Sequence, residues 1–97
     1  MLTRIVKMTF EPENIPSFER LFKASEKEIR AFPGCVNVNL LQDIKDPSVF
    51  FTYSHWESEA ALEAYRNSEF FKGVWGQTRT LFSERPKAWS LALRDLK

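Results

Sequence analysis

The chain has 97 residues, 43% hydrophobic and 28% charged, and 14 basic against 13 acidic side chains leave a net charge of +1. One domain spanning residues 1–97 is expected at this length. No basic run exceeds two residues, so the charged stripe of a nucleic-acid-binding surface is missing, and the apolar runs are far too short to span a membrane.

Aromatic residues are abundant: nine Phe, three Trp and two Tyr. A domain this small buries only about 60–65% of the surface of its unfolded chain, which makes self-association the first expectation. The opening MLTRIVKMTF has charges between its apolar residues and does not read as a signal peptide. With one cysteine, Cys35, no internal disulfide can form, and a reducing cytoplasm is the expected setting.

In chain order, LTRIVKMTF alternates, with Arg4, Val6, Met8 and Phe10 on one side and Thr3, Ile5, Lys7 and Thr9 on the other, the period of a strand. EPENIP connects it to a helix whose stripe is Phe18, Leu21, Phe22, Ser25, Ile29 and Phe32. Pro16 is tolerated in a first helical turn, and Pro33-Gly34 ends the helix. Cys35 to Ile44 reads as a second strand, with Val36, Val38 and Leu40 against Cys35, Asn37, Asn39 and Leu41. KDPS is a turn. Val49 to Trp56 is a third strand, apolar on much of both faces and hence central. Ser58 is suited to N-cap a helix carrying Ala61, Leu62 and Tyr65. YRNSEFFKGVWGQT continues as a further helix with Phe71, Val74, Trp75 and Thr78 on one stripe, extended by Leu81 and Phe82. Gly73 and Gly76 interrupt it, each costing roughly 1 kcal/mol against alanine. After ERPK, AWSLALR alternates as a last strand.

The order β-α-β-β-α-β is the split βαβ, ferredoxin-like α+β arrangement: an antiparallel sheet with helices on one face. The other face carries apolar residues that nothing left in the chain can cover, so a homodimer joined through sheet faces is expected.

The segments AFPGCVNVNLLQD, FFTYSHWESEAALEAY and RNSEFFK together resemble the antibiotic biosynthesis monooxygenase (ABM) domain family, within the dimeric α+β barrel group. The resemblance covers nearly the whole chain. It implies a two-subunit barrel and a small pocket between sheet and helices in each subunit. It also implies cofactor-free oxygenation of quinols, anthrones and similar phenols, or haem degradation, as activities of relatives. Anchored on Asn67-Ser68 and Phe71-Lys72, the Trp and the iron-binding His of haem-degrading relatives fall at Tyr65 and Trp75. Indole has no free lone pair for iron, and the first strand lacks the relatives' Asn, so haem is not expected as a cofactor. The quinol-oxygenase histidine position is also Tyr65, and the relatives' Ser-Pro-His-Phe reads Ser68-Glu69-Phe70-Phe71 here, so both of those histidines are missing.

The expected catalytic residues are Tyr65, His55 and Tyr53. Tyr65 would donate a hydrogen bond to a substrate phenol or oxyanion; His55, the one histidine, or Tyr53 would act as acid/base helper. The expected substrate-binding residues are Trp75, as a ring-stacking wall, Phe71, and Asn37, orienting a carbonyl or peroxide. Each has a structural alternative: Tyr65 and Trp75 as core, His55 partnered by backbone or water, Asn37 on a solvated or interfacial sheet face. Arg66 reads as an ion-pair residue, Trp56 as a structural plug and Cys35 as a packed thiol. No metal site and no phosphate loop is expected. Gly73 and Gly76 would let the helix bend or approach the sheet, fitting an indole where relatives keep a smaller ring. The expected activity is cofactor-independent oxygenation of a small quinol- or anthrone-like aromatic; the alternative is a non-enzymatic dimeric module that binds a small ligand.

Overall fold

A computed structural model describes residues 1–96. Its elements run β1 (Leu2–Thr9), α1 (Ile15–Ala31), β2 (Cys35–Gln42), β3 (Val49–Trp56), α2 (Glu59–Arg66), α3 (Glu69–Thr78) and β4 (Lys87–Ala92), with single 3-10 turns at Pro12–Asn14 and Arg79–Leu81. The four strands form one sheet in the order β2-β3-β1-β4, and every neighbouring pair is antiparallel. This is the ferredoxin-like α+β fold, and the helices pack on one sheet face.

The period-2 alternation of β1 decides which residues meet them. Leu2, Met8 and Phe10 are buried, whereas Ile5 is paired with Tyr53 and Trp89 on the uncovered face. In β3, Phe50, Ser54 and Trp56 are buried; Phe51, Tyr53 and His55 alternate to the other side.

α1 starts with Pro16 in its first turn, where no amide is needed. It ends at Phe32, whose amide donates to the Ile29 carbonyl at 3.1 Å. Gly34 follows at φ +86°, and a Cβ there would collide with Ala61 of α2. The position therefore demands glycine twice, for its left-handed backbone and for close packing. Serines start the next two helices. Ser58 Oγ accepts from Ala61 N at 3.1 Å. Ser68 Oγ accepts from Phe71 N at 3.1 Å and donates to the Tyr65 carbonyl at 2.6 Å. Ser68 thus fixes the corner between α2 and α3, and with it Tyr65 relative to Phe71.

Four expectations need correction. β2 stops at Gln42, not Ile44, because the Asp43 carboxylate accepts from the amides of Lys45 and Asp46 at 3.0 and 2.8 Å and turns the chain. Within β2 the register against β3 shifts between Cys35 and Asn37. Val36 is the extra residue of a β-bulge and is 51% exposed, so Cys35 packs against the core on the helix side instead of sharing a face with Asn37. Phe82 does not extend the α3 stripe: after a 3-10 turn it runs extended, bridges Phe10 and packs against its ring at 5.2 Å. β4 ends at Ala92, opposite Leu2 where β1 begins, and the pairing of the two strands stops there.

The core is divided. Leu2, Ile29, Val38, Trp56, Leu62 and Tyr65 form one cluster; Met8, Phe10, Phe18 and Phe50 form another. Stacked and edge-on rings hold the second together, with Phe10 and Phe18 centroids 4.2 Å apart. Between the clusters the molecule is hollow.

Candidate functional site

The hollow is a cavity of about 430 Å³ between the sheet and the helices, within the size range of sites for small organic ligands. Its floor is the helix-facing side of β1 and β3, including Val6, Met8, Thr52 and Ser54, and α3 supplies Phe71, Val74, Trp75 and Thr78. Those four are the whole apolar stripe of α3, so this helix is a cavity wall before it is anything else. Phe71 and Trp75, one turn apart, lie nearly parallel, at 9° and 6.0 Å between centroids. They form a parallel aromatic pair, a platform in the cavity wall.

Tyr65, near the end of α2, also lines the cavity, its ring packed against Trp56 at 4.8 Å, Phe71 at 5.0 Å and Phe32 at 5.3 Å. Only 9% of Tyr65 is exposed. Its hydroxyl makes no hydrogen bond to another described residue, yet it is not sealed off, because no fully buried side-chain oxygen or nitrogen lacks a partner. Burial, with a smaller contribution from Cys35, pushes the phenol well above its ordinary pKa. The group is therefore a neutral hydrogen-bond donor across physiological pH. Trp56 is 1% exposed, and its indole donates to Ser54 Oγ at 3.0 Å, the behaviour of a structural plug.

The exposed lining residues are Arg66, Lys87 and Ala88, so the cavity opens between the end of α2 and the edge strand β4. Just inside stands Arg4, on the helix-facing side of β1. Burial first, and neighbouring Arg66 second, lower its pKa, while Glu63 acts the other way. The reading of site residues from sequence passed over Arg4, although the signal was present: a cation on the same strand face as Val6, Met8 and Phe10.

Tyr65, Trp75 and Phe71 are thus brought together on one cavity. Tyr53 and His55 are not: strand alternation puts both on the opposite face of the sheet, where their rings meet edge to face at 4.9 Å and His55 Nδ1 lies 3.3 Å from Thr3 Oγ1. Asn37 does not line the cavity either. Its Oδ1 accepts from Arg30 Nη1 at 2.7 Å and from Val38 N at 2.9 Å, so it ties the end of α1 to the start of β2. Gly73 and Gly76 do not serve close approach: a Cβ at either would meet nothing within 4 Å. The indole of Trp75 reaches the cavity without them.

Around Tyr53 and His55 the uncovered face is apolar. Trp89 is 43%, Leu91 46% and Leu41 48% exposed, beside half-buried Ile5 and Phe51. No helix among the described residues is long and apolar enough to cross a membrane, and no cluster of His, Cys, Asp and Glu among them could hold a metal ion.

The family model for antibiotic biosynthesis monooxygenases matches residues 1–74. A crystal structure described as an antibiotic biosynthesis monooxygenase superposes over 98% of this chain and all of its own, with a TM-score of 0.92 and 23% identity. A protein of Pseudomonas aeruginosa is 30% identical over 97% of this chain and 94% of its own, with a TM-score of 0.84. A Mycobacterium tuberculosis protein named heme oxygenase (mycobilin-producing) is 31% identical over 52 residues, which are 54% of this chain and 50% of that protein. The chain spans about half the length of the curated relatives it matches. With the fold and the family model in agreement over three strands, α1, α2 and the first part of α3, the chain belongs to the antibiotic biosynthesis monooxygenase family.

Proposed function

We propose that the chain, acting as one ABM-like domain, is a cofactor-independent monooxygenase for a small quinol- or anthrone-like aromatic. The observation that carries this is the aromatic platform of Phe71 and Trp75 facing a cavity into which one unpaired phenol, Tyr65, can donate. The substrate ring lies on the platform, and Tyr65 hydrogen-bonds the substrate oxygen as negative charge develops there. Such substrates react with dioxygen through their own anion. A ring methylene and dioxygen give a ring carbonyl and water. One oxygen atom ends in the carbonyl, and the other leaves as water with both methylene hydrogens. The substrate therefore supplies every electron and no external reductant is needed. The protein contributes a water-poor pocket, orientation and the Tyr65 donor.

Among the described residues no imidazole or carboxylate lines the cavity, so the substrate's proton leaves through the rim to solvent. The same fact favours a second reading, a module that binds a small aromatic without turning it over. Haem chemistry fits the lining poorly. The one histidine is on the far face of the sheet, and Tyr65 as an axial ligand would have to be the phenolate that burial disfavours. Titration with haemin is expected to give no Soret band of a ligated complex.

The two subunits of a homodimer would bury the Trp89–Leu91–Leu41 face, with Tyr53 and His55 inside that contact and away from the chemistry. Oxygen uptake with a panel of hydroquinones and anthrones tests the enzymatic reading. Turnover by wild type and its loss in Tyr65→Phe are expected. A panel on which both proteins are equally inert, with ligand-dependent thermal stabilisation retained, would establish the binding module instead.

A further inference from the structure

The cavity is apolar over most of its wall, yet two guanidinium groups stand at its opening, and among the described residues no carboxylate lines it. Arg4 is half-buried on the strand face shared with Val6 and Met8. Its one side-chain hydrogen bond is from Nη1 to Ser90 Oγ, at 2.8 Å, a neutral acceptor on the edge strand. A guanidinium has five N–H donors, and Arg4 forms no ion pair among the described residues: the pairs present are Arg30–Glu26 and Arg66–Glu63. Arg66, exposed at the rim, keeps one contact, Nη1 to Glu63 Oε1 at 3.1 Å. Lys87 also borders the opening, but it pairs with Lys7, so alternation directs its side chain to the uncovered face.

Arg4, partly withdrawn from water beside Arg66, is offset only by Glu63, which is already paired with Arg66, and a further anion at the mouth would offset the rest. Its cross-strand partners are Ser54 and Ser90, so no acidic residue faces it across the sheet. We infer that the cavity's ligand is an aromatic carboxylate, held by Arg4 and Arg66 at the mouth while its ring system lies on the Phe71–Trp75 platform. The planar fork of arginine suits a carboxylate bidentately. The depth of Arg4, inside the rim, makes the contact one that water screens weakly. This places the anionic group at the mouth, between Arg4 and Arg66, and the reacting ring on the Phe71–Trp75 wall. The inference rests on the proposed role of the cavity as an aromatic site.

The test is isothermal titration calorimetry with 2-naphthoate and its neutral counterpart 2-naphthalenemethanol, on wild type, Arg4→Gln and Arg66→Gln, each checked for folding by far-UV circular dichroism. Wild type is expected to bind the naphthoate about tenfold or more tightly than the alcohol, the size of a charge-assisted contact. That ratio should collapse toward one in Arg4→Gln and fall partway in Arg66→Gln. Should Arg4→Gln fail to fold, the fall in Arg66→Gln carries the test. Equal affinity of wild type for the two ligands would overturn the inference while leaving the aromatic site standing. A naphthoate preference that survives both substitutions would also overturn it. Binding of neither ligand would overturn both the inference and the reading on which it rests.

Discussion

Replacing Tyr65 by Phe removes one oxygen and leaves every ring contact in place, which makes it the sharpest probe of what that residue is for. The hydroxyl is mostly withdrawn from water and makes no hydrogen bond to another described residue, while its ring is fixed by Trp56, Phe71 and Phe32. A fully buried, unpaired polar group costs about 1–3 kcal/mol. Because some accessible surface remains on this one, the lower end applies. Tyr65→Phe should therefore stabilise the fold by about 1 kcal/mol, which in a domain of this size raises Tm by roughly 4–8 °C. Thermal melts followed by circular dichroism, at one fixed protein concentration because association shifts Tm, read this directly.

The same substitution has a signature in pH. The folded phenol titrates above its ordinary value. Above about pH 10, where unfolded tyrosines ionise, the unfolded chain therefore binds fewer protons at this position than the folded one. Stability should fall with rising pH there, and Tyr65→Phe should lack up to one proton's worth of that slope, about 1.4 kcal/mol per pH unit. A lower Tm in Tyr65→Phe, with an unchanged alkaline slope, would refute the reasoning: it would mean that the hydroxyl is a paired structural group. A residue whose removal stabilises the protein while abolishing ligand handling is one retained for function.

Gly73→Ala and Gly76→Ala should each stabilise by about 0.5–1 kcal/mol, since both lie in α3 with free space where the methyl would go; chemical denaturation measures it, and destabilisation at either would show that α3 needs its glycines. Gly34→Ala combines a disfavoured backbone conformation with a collision at Ala61, and a loss of at least about 1–3 kcal/mol is expected in the same assay. Trp89→Glu, on the uncovered face, tests the proposed homodimer: sedimentation velocity should find a dimeric wild type and a monomeric variant with the same far-UV spectrum, and a monomeric wild type or an equally dimeric variant would remove that contact.

The sheet was the most legible part of the molecule. β3 begins and ends where alternation and the flanking turn residues place it, because a central strand is specified by its own side chains on both faces. The bulge at Val36 was not legible, since an extra residue in a strand leaves the composition unchanged and appears only in pairing with β3. It moved Cys35 from one face to the other. The wall of α3 was visible as a stripe of Phe71, Val74, Trp75 and Thr78, but a stripe shows which residues face inward and not whether they meet other atoms or a hollow.

Grouping Tyr53 and His55 with Tyr65 came from their chemistry and not from parity. Trp56 faces the helices, so His55 and then Tyr53 have to face away, and the alternation of β3 already contained that answer. Arg4 was passed over for a related reason: a cation on an apolar strand face was read as part of the alternation when it was the exception to it.

Two tryptophans border the cavity, Trp56 from the packed core and Trp75 from α3, while Trp89 lies on the uncovered sheet face. Their indole N–H signals in a 1H–15N spectrum therefore distinguish the cavity from the outer face within one titration. With 1-naphthol as ligand, the Trp75 signal is expected to shift in a saturable way while that of Trp89 stays in place. A shift confined to Trp89, with Trp75 unmoved, would contradict the assignment of the cavity as the aromatic-binding site.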